Sequence, residues 1–116
     1  MLEYCSVVEM PCFLGGAKKY LTDDERSLMI SFLAQFPESG NVIPGSGGLR
    51  KLRWRQSGQG KRGGVRVIYY FYNNTAPLVL LDLYSKHDKE DLDKSELKML
   101  SKLANELKLS YRRGVK

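Results

Sequence analysis

Arg50, Lys51, Arg53, Arg55, Lys61, Arg62 and Arg66 fall between Glu38 and Asp82, a stretch that contains no acidic residue of its own. Their seven charges exceed the net charge of +6 carried by the whole 116-residue chain. A field of this kind, unpaired by neighbouring acids, attracts a polyanion. A solvated basic face is the ordinary alternative for any basic run. The spacing points further than the charge does. In Leu49-Arg-Lys-Leu-Arg-Trp-Arg55 the period is two, so Leu52 and Trp54 share one side of a strand while Lys51, Arg53 and Arg55 share the other. Like charges side by side on a strand are costly unless something compensates them.

Scission of an RNA strand by its own 2′-hydroxyl is a reaction such a group can carry. It needs a base for the 2′-proton, cations for the crowded and negatively charged phosphorane, and an acid for the leaving 5′-oxygen. Lys51, Arg53, Arg55 and Arg66 supply the cations directly. A lysine among other cations holds its proton less tightly and can serve as base. No metal is required. His87 is the single histidine, the residue type most suited to proton transfer near neutrality, although a lone histidine in a loop more often caps or hydrogen-bonds. Tyr69, Tyr70, Tyr72 and Tyr84 offer rings on which bases can stack, but strand alternation should commit about half of them to the core.

Two other patterns carry less. Gly58-Gln-Gly-Lys-Arg-Gly-Gly64 resembles a phosphate-binding loop only superficially. Arg55 stands where that motif needs its first glycine, and Arg62 where it needs Ser or Thr. A flexible basic hairpin loop carrying Lys61 and Arg62 fits the sequence better. Cys5 and Cys12 are the only cysteines. With His87 they fall short of a four-ligand zinc site, and they read as reduced thiols.

The elements that must position these groups follow from the periods. Tyr4–Val8 reads as a first strand. Thr22-Asp-Asp-Glu25 has the form of a capping box, and Leu28, Met29, Phe32, Leu33 and Phe36 recur at helical spacing up to Pro37, predicting a helix over 22–36. A shorter helical piece can precede it. The glycine- and proline-rich 37–48 reads as loop. Strands follow at 49–55, 65–72 and 78–84, the last two joined by a turn at 73–77, as an antiparallel meander. Leu97, Leu100, Leu103, Ala104 and Leu107 mark a final helix capped by Asp93 or Ser95, with Gly114 as stop. The expected fold is α+β: an antiparallel sheet of about four strands with helices packed against it, in one domain over 1–116. The first residues show no signal-peptide pattern, and no apolar run approaches the ~18 residues of a membrane span. A cytoplasmic protein is expected.

Gly47-Gly-Leu-Arg-Lys-Leu-Arg-Trp54, then Gly60-Lys-Arg-Gly-Gly-Val-Arg-Val-Ile-Tyr-Tyr-Phe71, then Leu81-Asp-Leu-Tyr-Ser-Lys-His-Asp-Lys-Glu-Asp-Leu92 resemble, in order, the HigB branch of the RelE/ParE toxin superfamily. The likeness covers roughly 20–110. It implies a RelE-like fold and a toxin of a type II toxin–antitoxin system that enters the ribosomal A site and cuts mRNA by 2′-hydroxyl attack, without a metal or other cofactor. It also implies a cognate antitoxin, HigA-like and carrying a helix-turn-helix domain. Lys51 matches a family lysine proposed as base, Arg53 a second lysine position, Arg55 an adjacent arginine, and Arg66 the arginine that contacts the scissile phosphate. Lys86 or His87 matches a further basic position. The catalytic set expected on these grounds is Lys51, Arg53, Arg66 and His87. Arg50, Arg55, Lys61, Arg62, Lys86 and Tyr84 are expected to hold RNA or the ribosome. Two departures stand out: arginine replaces lysine at Arg53, which weakens it as a base, and Lys89-Glu-Asp-Leu-Asp93 lacks the tyrosine that family members place there. A ParE-like inhibitor of DNA gyrase and a non-catalytic RNA-binding module on the same fold are the competing functions.

Overall fold

A computed structural model describes residues 4–55 and 64–113. The elements run β1 (Val7–Glu9), α1 (Pro11–Tyr20), α2 (Asp23–Gln35), β2 (Asn41–Val42), β3 (Leu49–Trp54), β4 (Val65–Tyr70), β5 (Leu78–Ser85) and α3 (Lys94–Arg112). The strands form one sheet in the order β1-β5-β4-β3-β2. The β3–β4–β5 meander is antiparallel as expected, and β2 adds to β3 antiparallel. β1 instead pairs parallel with β5, so the sheet is mixed and has five strands rather than about four. The α+β class, with helices packed against the sheet, holds; strand number and the direction of β1 are the corrections.

Both long helices start at expected N-caps, and both are closed by capping boxes. Thr22 accepts from the Glu25 N–H while the Glu25 carboxylate accepts from the Thr22 N–H. Asp93, not Ser95, plays the same part with Glu96 at the start of α3. The short helix ahead of α2 is α1, opened by Pro11, whose missing N–H costs nothing at a first helical position. It lies close on β5: a Cβ on Gly16 would stand 2.1 Å from the Leu83 carbonyl oxygen.

The sheet separates two cores. On one face, Phe13 and Ala17 of α1 and Met29 and Leu33 of α2 bury Val65, Val67, Tyr69, Leu78, Leu80 and Leu83, with Leu52 and Trp54 packed alongside. On the other, Leu100 and Ala104 of α3 bury Leu49, Ile68, Tyr70, Val79, Leu81 and Tyr84. β4 is buried along its whole length, as a central strand covered on both faces must be. Tyr69 and Tyr70 therefore belong to opposite cores. The Tyr69 hydroxyl donates to the Pro37 carbonyl at 2.8 Å and accepts the Gly40 N–H at 2.8 Å, which pins the loop ahead of β2.

β3 is entered through a turn in which Gly45, Gly47 and Gly48 all have positive φ, a conformation that disfavours other residues. Ser46 locks this turn, donating to the Ile43 carbonyl and accepting the Leu49 N–H. The segment 37–48, expected to be wholly loop, thus contains the two-residue β2 and a fixed entry into β3. Of the glycine-rich loop at 57–64 only Gly64 is described. Lys61 and Arg62 lie outside the described residues, as does Gly114.

Candidate active site

The strand register assembles the site. Lys51 of β3 stands opposite Ile68 of β4, and Arg53 stands opposite Arg66. Arg66 in turn stands opposite Tyr84 of β5. Because Ile68 and Tyr84 belong to the α3-side core, Lys51, Arg53, Arg66 and Tyr84 share that face of the sheet. Arg53–Arg66–Tyr84 is one row running across three strands.

Tyr84 reaches this row through an irregularity. Between Leu78 and Leu81, even-numbered side chains of β5 enter the helix α1/α2 core and odd-numbered ones enter the α3 core. Unbroken alternation would send Tyr84 to the α1/α2 side. The register shifts between Ile68/Tyr69, which pair with Asp82 and Leu80 respectively, leaving Leu81 as an extra residue. This bulge puts Leu83 into the α1/α2 core and Tyr84 beside Arg66. Re-aiming a side chain is a common effect of a bulge near a functional site.

The row contains little compensating charge. Arg66 is only 9% exposed. Among the described residues no carboxylate lies within ion-pair distance of Arg53, Arg55 or Arg66. Desolvating a cation without a partner is costly, so Arg66 is a ready position for an anion. Lys51 does have a partner, Asp91, whose Oδ1 lies 3.3 Å from its Nζ. The same Asp91 oxygen accepts the Tyr84 hydroxyl at 3.4 Å. Burial, then the nearby Asp91 carboxylate, push the Tyr84 phenol up to about 12, against the opposing charge of Arg66. The Leu92 N–H, together with Lys51 and Tyr84, holds the Asp91 carboxyl below its ordinary range, against partial burial.

A second polar group borders the first. Lys89 pairs with Glu96 and lies 4.9 Å from the centre of the Tyr84 ring. Asp82, carried to this face by the bulge, is pushed above the usual carboxylate range, chiefly by burial. With Tyr84 only 3% exposed, its ring has no free face for a base, and its hydroxyl reaches Asp91.

Not every expected residue joins the group. Arg50 faces the other way, as its parity with Leu52 and Trp54 requires. Its guanidinium donates to the Glu38 and Gly40 carbonyls at 3.1 and 2.7 Å. Arg55 is exposed just past the end of β3. Lys86 and His87 are exposed in the turn after β5, where the His87 N–H donates to Ser85 Oγ. That turn is tied to α1 by the Tyr20 hydroxyl, which donates to Asp88 at 2.5 Å. Asp91 and Lys89 were absent from the sequence-based set. An acid 40 positions from Lys51 leaves no local signal.

The profile of the RelE toxin of RelE/RelB toxin–antitoxin systems matches residues 40–114, a span that contains β2, β3, β4, β5 and α3. The fold is similar to that of a mutant of the E. coli toxin RelE solved in the free state. The TM-score is 0.52 at 17% identity, over 78% of this chain and 90% of that one. The chain belongs to the RelE toxin family. Membership makes it the toxin half of a toxin–antitoxin pair, with a cognate antitoxin as its partner.

Proposed function

We propose that the chain is a ribosome-dependent endoribonuclease that cuts mRNA by attack of the 2′-hydroxyl on the neighbouring phosphate, and so blocks translation. The observation that carries this reading is the row Arg53–Arg66–Tyr84 with Lys51 beside it, on a sheet face where two of three cations have no carboxylate among the described residues. Arg66 and Arg53 bind the scissile phosphate and stabilise the phosphorane as charge builds on it. Lys51, held by Asp91, takes or returns the proton beside that phosphate. Arg55, Lys86 and His87, all exposed, bind RNA or the ribosome, with His87 also a candidate acid. Lys61 and Arg62 are assigned the same binding role on sequence grounds. The protein acts as a single domain in the cytoplasm, with no metal or other cofactor. Among the described residues no helix is long and apolar enough to cross a membrane.

Within the family, the HigB-like motif order supports a HigA-like antitoxin with a helix-turn-helix domain. The test is a cleavage assay with purified toxin on a short mRNA, free or positioned on ribosomes with the A site empty. Cuts within the A-site codon that need the ribosome, persist in excess chelator and vanish in Arg66→Ala support the reading. Cutting of free RNA at the same rate would remove the ribosome dependence. No cutting under either condition would remove the nuclease.

A further inference from the structure

The connection from β5 to α3 is fixed at both ends. Asp88 accepts the Tyr20 hydroxyl, and Asp93 caps α3 with its side chain on the Glu96 N–H. Between these anchors Asp91 comes down onto the α3 face of the sheet. Its Oδ1 accepts three hydrogen bonds: from its neighbour Leu92 N–H at 2.9 Å, from Lys51 Nζ at 3.3 Å and from the Tyr84 hydroxyl at 3.4 Å. Its Oδ2 lies 3.4 Å from the same Lys51 nitrogen. Lys51 and Tyr84 stand on strands separated by β4, so one carboxylate links two elements across the strand that carries Arg66.

Stability does not account for this arrangement. Asp91 is 62% exposed and Lys51 34%, and an ion pair this open contributes about 0–1 kcal/mol. Nor is Asp91 suited to take the proton itself, since its contacts hold the carboxyl below the usual range and make it a weaker base. What the contacts do is fix direction. The hydroxyl of the buried Tyr84 ring is held on the Asp91 carboxylate, and the four-carbon stem of Lys51 is held in one orientation. Freezing such groups before substrate arrives removes an entropic cost from the reaction step.

We propose that Asp91 is a positioning residue for RNA scission, holding the Lys51 ammonium and the Tyr84 hydroxyl on either side of the phosphate position at Arg66. The inference rests on the endoribonuclease reading above. A phosphate arriving at Arg66 and Arg53 then meets two further hydrogen-bonding groups already aimed. Asp91 acts through them and does not touch the reacting atoms.

Two measurements test this. In the ribosome-bound cleavage assay, Asp91→Ala lowers kcat about tenfold or more with KM within about twofold, because substrate binding by Arg53 and Arg66 is untouched. Asp91→Glu, which keeps the charge and both acceptors, restores most of the rate. A change confined to KM overturns the proposal. So does faster turnover or tighter RNA binding, which would make Asp91 a competitor of the phosphate. The second readout needs no RNA. In protein labelled with carbon-13 tyrosine, the Tyr84 signal, assigned through Tyr84→Phe, titrates near 12. Asp91→Asn lowers that midpoint, since Arg66, Asp82 and Lys89 remain around the ring while the adjacent negative charge is gone. An unmoved midpoint overturns the contact itself. If the midpoint moves but the wild-type protein cuts no RNA, the nuclease reading and the positioning role fall together while the contact stands.

Discussion

Arg53 and Arg66 face each other directly on neighbouring antiparallel strands, two guanidinium side chains on one face of the sheet with no carboxylate within ion-pair distance of either among the described residues. Directly opposed like charges destabilise a strand pair. A pair of this kind persists where an anionic ligand repays the repulsion. Arg53→Gln is therefore expected to raise stability by about 0.2–1 kcal/mol while lowering RNA cleavage. Thermal unfolding and the cleavage assay on the same preparation check both signs. A variant that loses stability would show that Arg53 serves the fold.

The buried phenols set an alkaline limit. Tyr84 is pushed up to about 12, first by burial, and Tyr69, Tyr70 and Tyr111 are raised for the same leading reason. A free tyrosine titrates near ~10. The folded chain thus holds these protons more tightly than the unfolded one. The stabilisation is complete below about pH 10 and is lost as pH rises through 10 toward 12. Denaturant titrations across that range should show the unfolding free energy falling. The fall should be shallower in Tyr84→Phe, which lacks the group.

Two adjacent glycines in α1 predict opposite outcomes. A Cβ at Gly15 meets nothing within 4 Å, whereas one at Gly16 would collide with the Leu83 backbone oxygen at 2.1 Å. Gly15→Ala should stabilise by about 0.5–1 kcal/mol through the helix preference of alanine. Gly16→Ala should destabilise by at least about 1–3 kcal/mol, because α1 must move off β5. Melting temperatures of the two variants, side by side, decide the matter.

Much of this arrangement was legible from local pattern. Thr22 with Glu25 marks the start of α2, Asp93 or Ser95 that of α3, and the two-residue period of β3 put Lys51 and Arg53 on one face. The same parity already separated Arg50 from them, although composition alone grouped it with the other cations. What stayed hidden depends on distant partners. The two residues of β2 are too few to show a period, and β1 became parallel only through β5, some 70 positions away. The bulge at Leu81 was equally invisible, because an extra residue shows only against a partner strand. Simple alternation would have placed Tyr84 in the wrong core. Asp91, an exposed acid in a connecting loop, acquires meaning only beside Lys51 and Tyr84.

The most direct test of the account is made in cells. The chain is expressed from a tightly repressed promoter, and new 5′ ends on cellular mRNA are mapped for the wild type and for the Lys51→Ala/Arg66→Ala double variant. The account predicts growth arrest with new ends inside translated regions, both abolished in the double variant. Arrest with intact mRNA would contradict it and point to a gyrase-type toxin on the same fold. Unimpaired growth would contradict it as well, leaving a basic domain that binds RNA without cutting it.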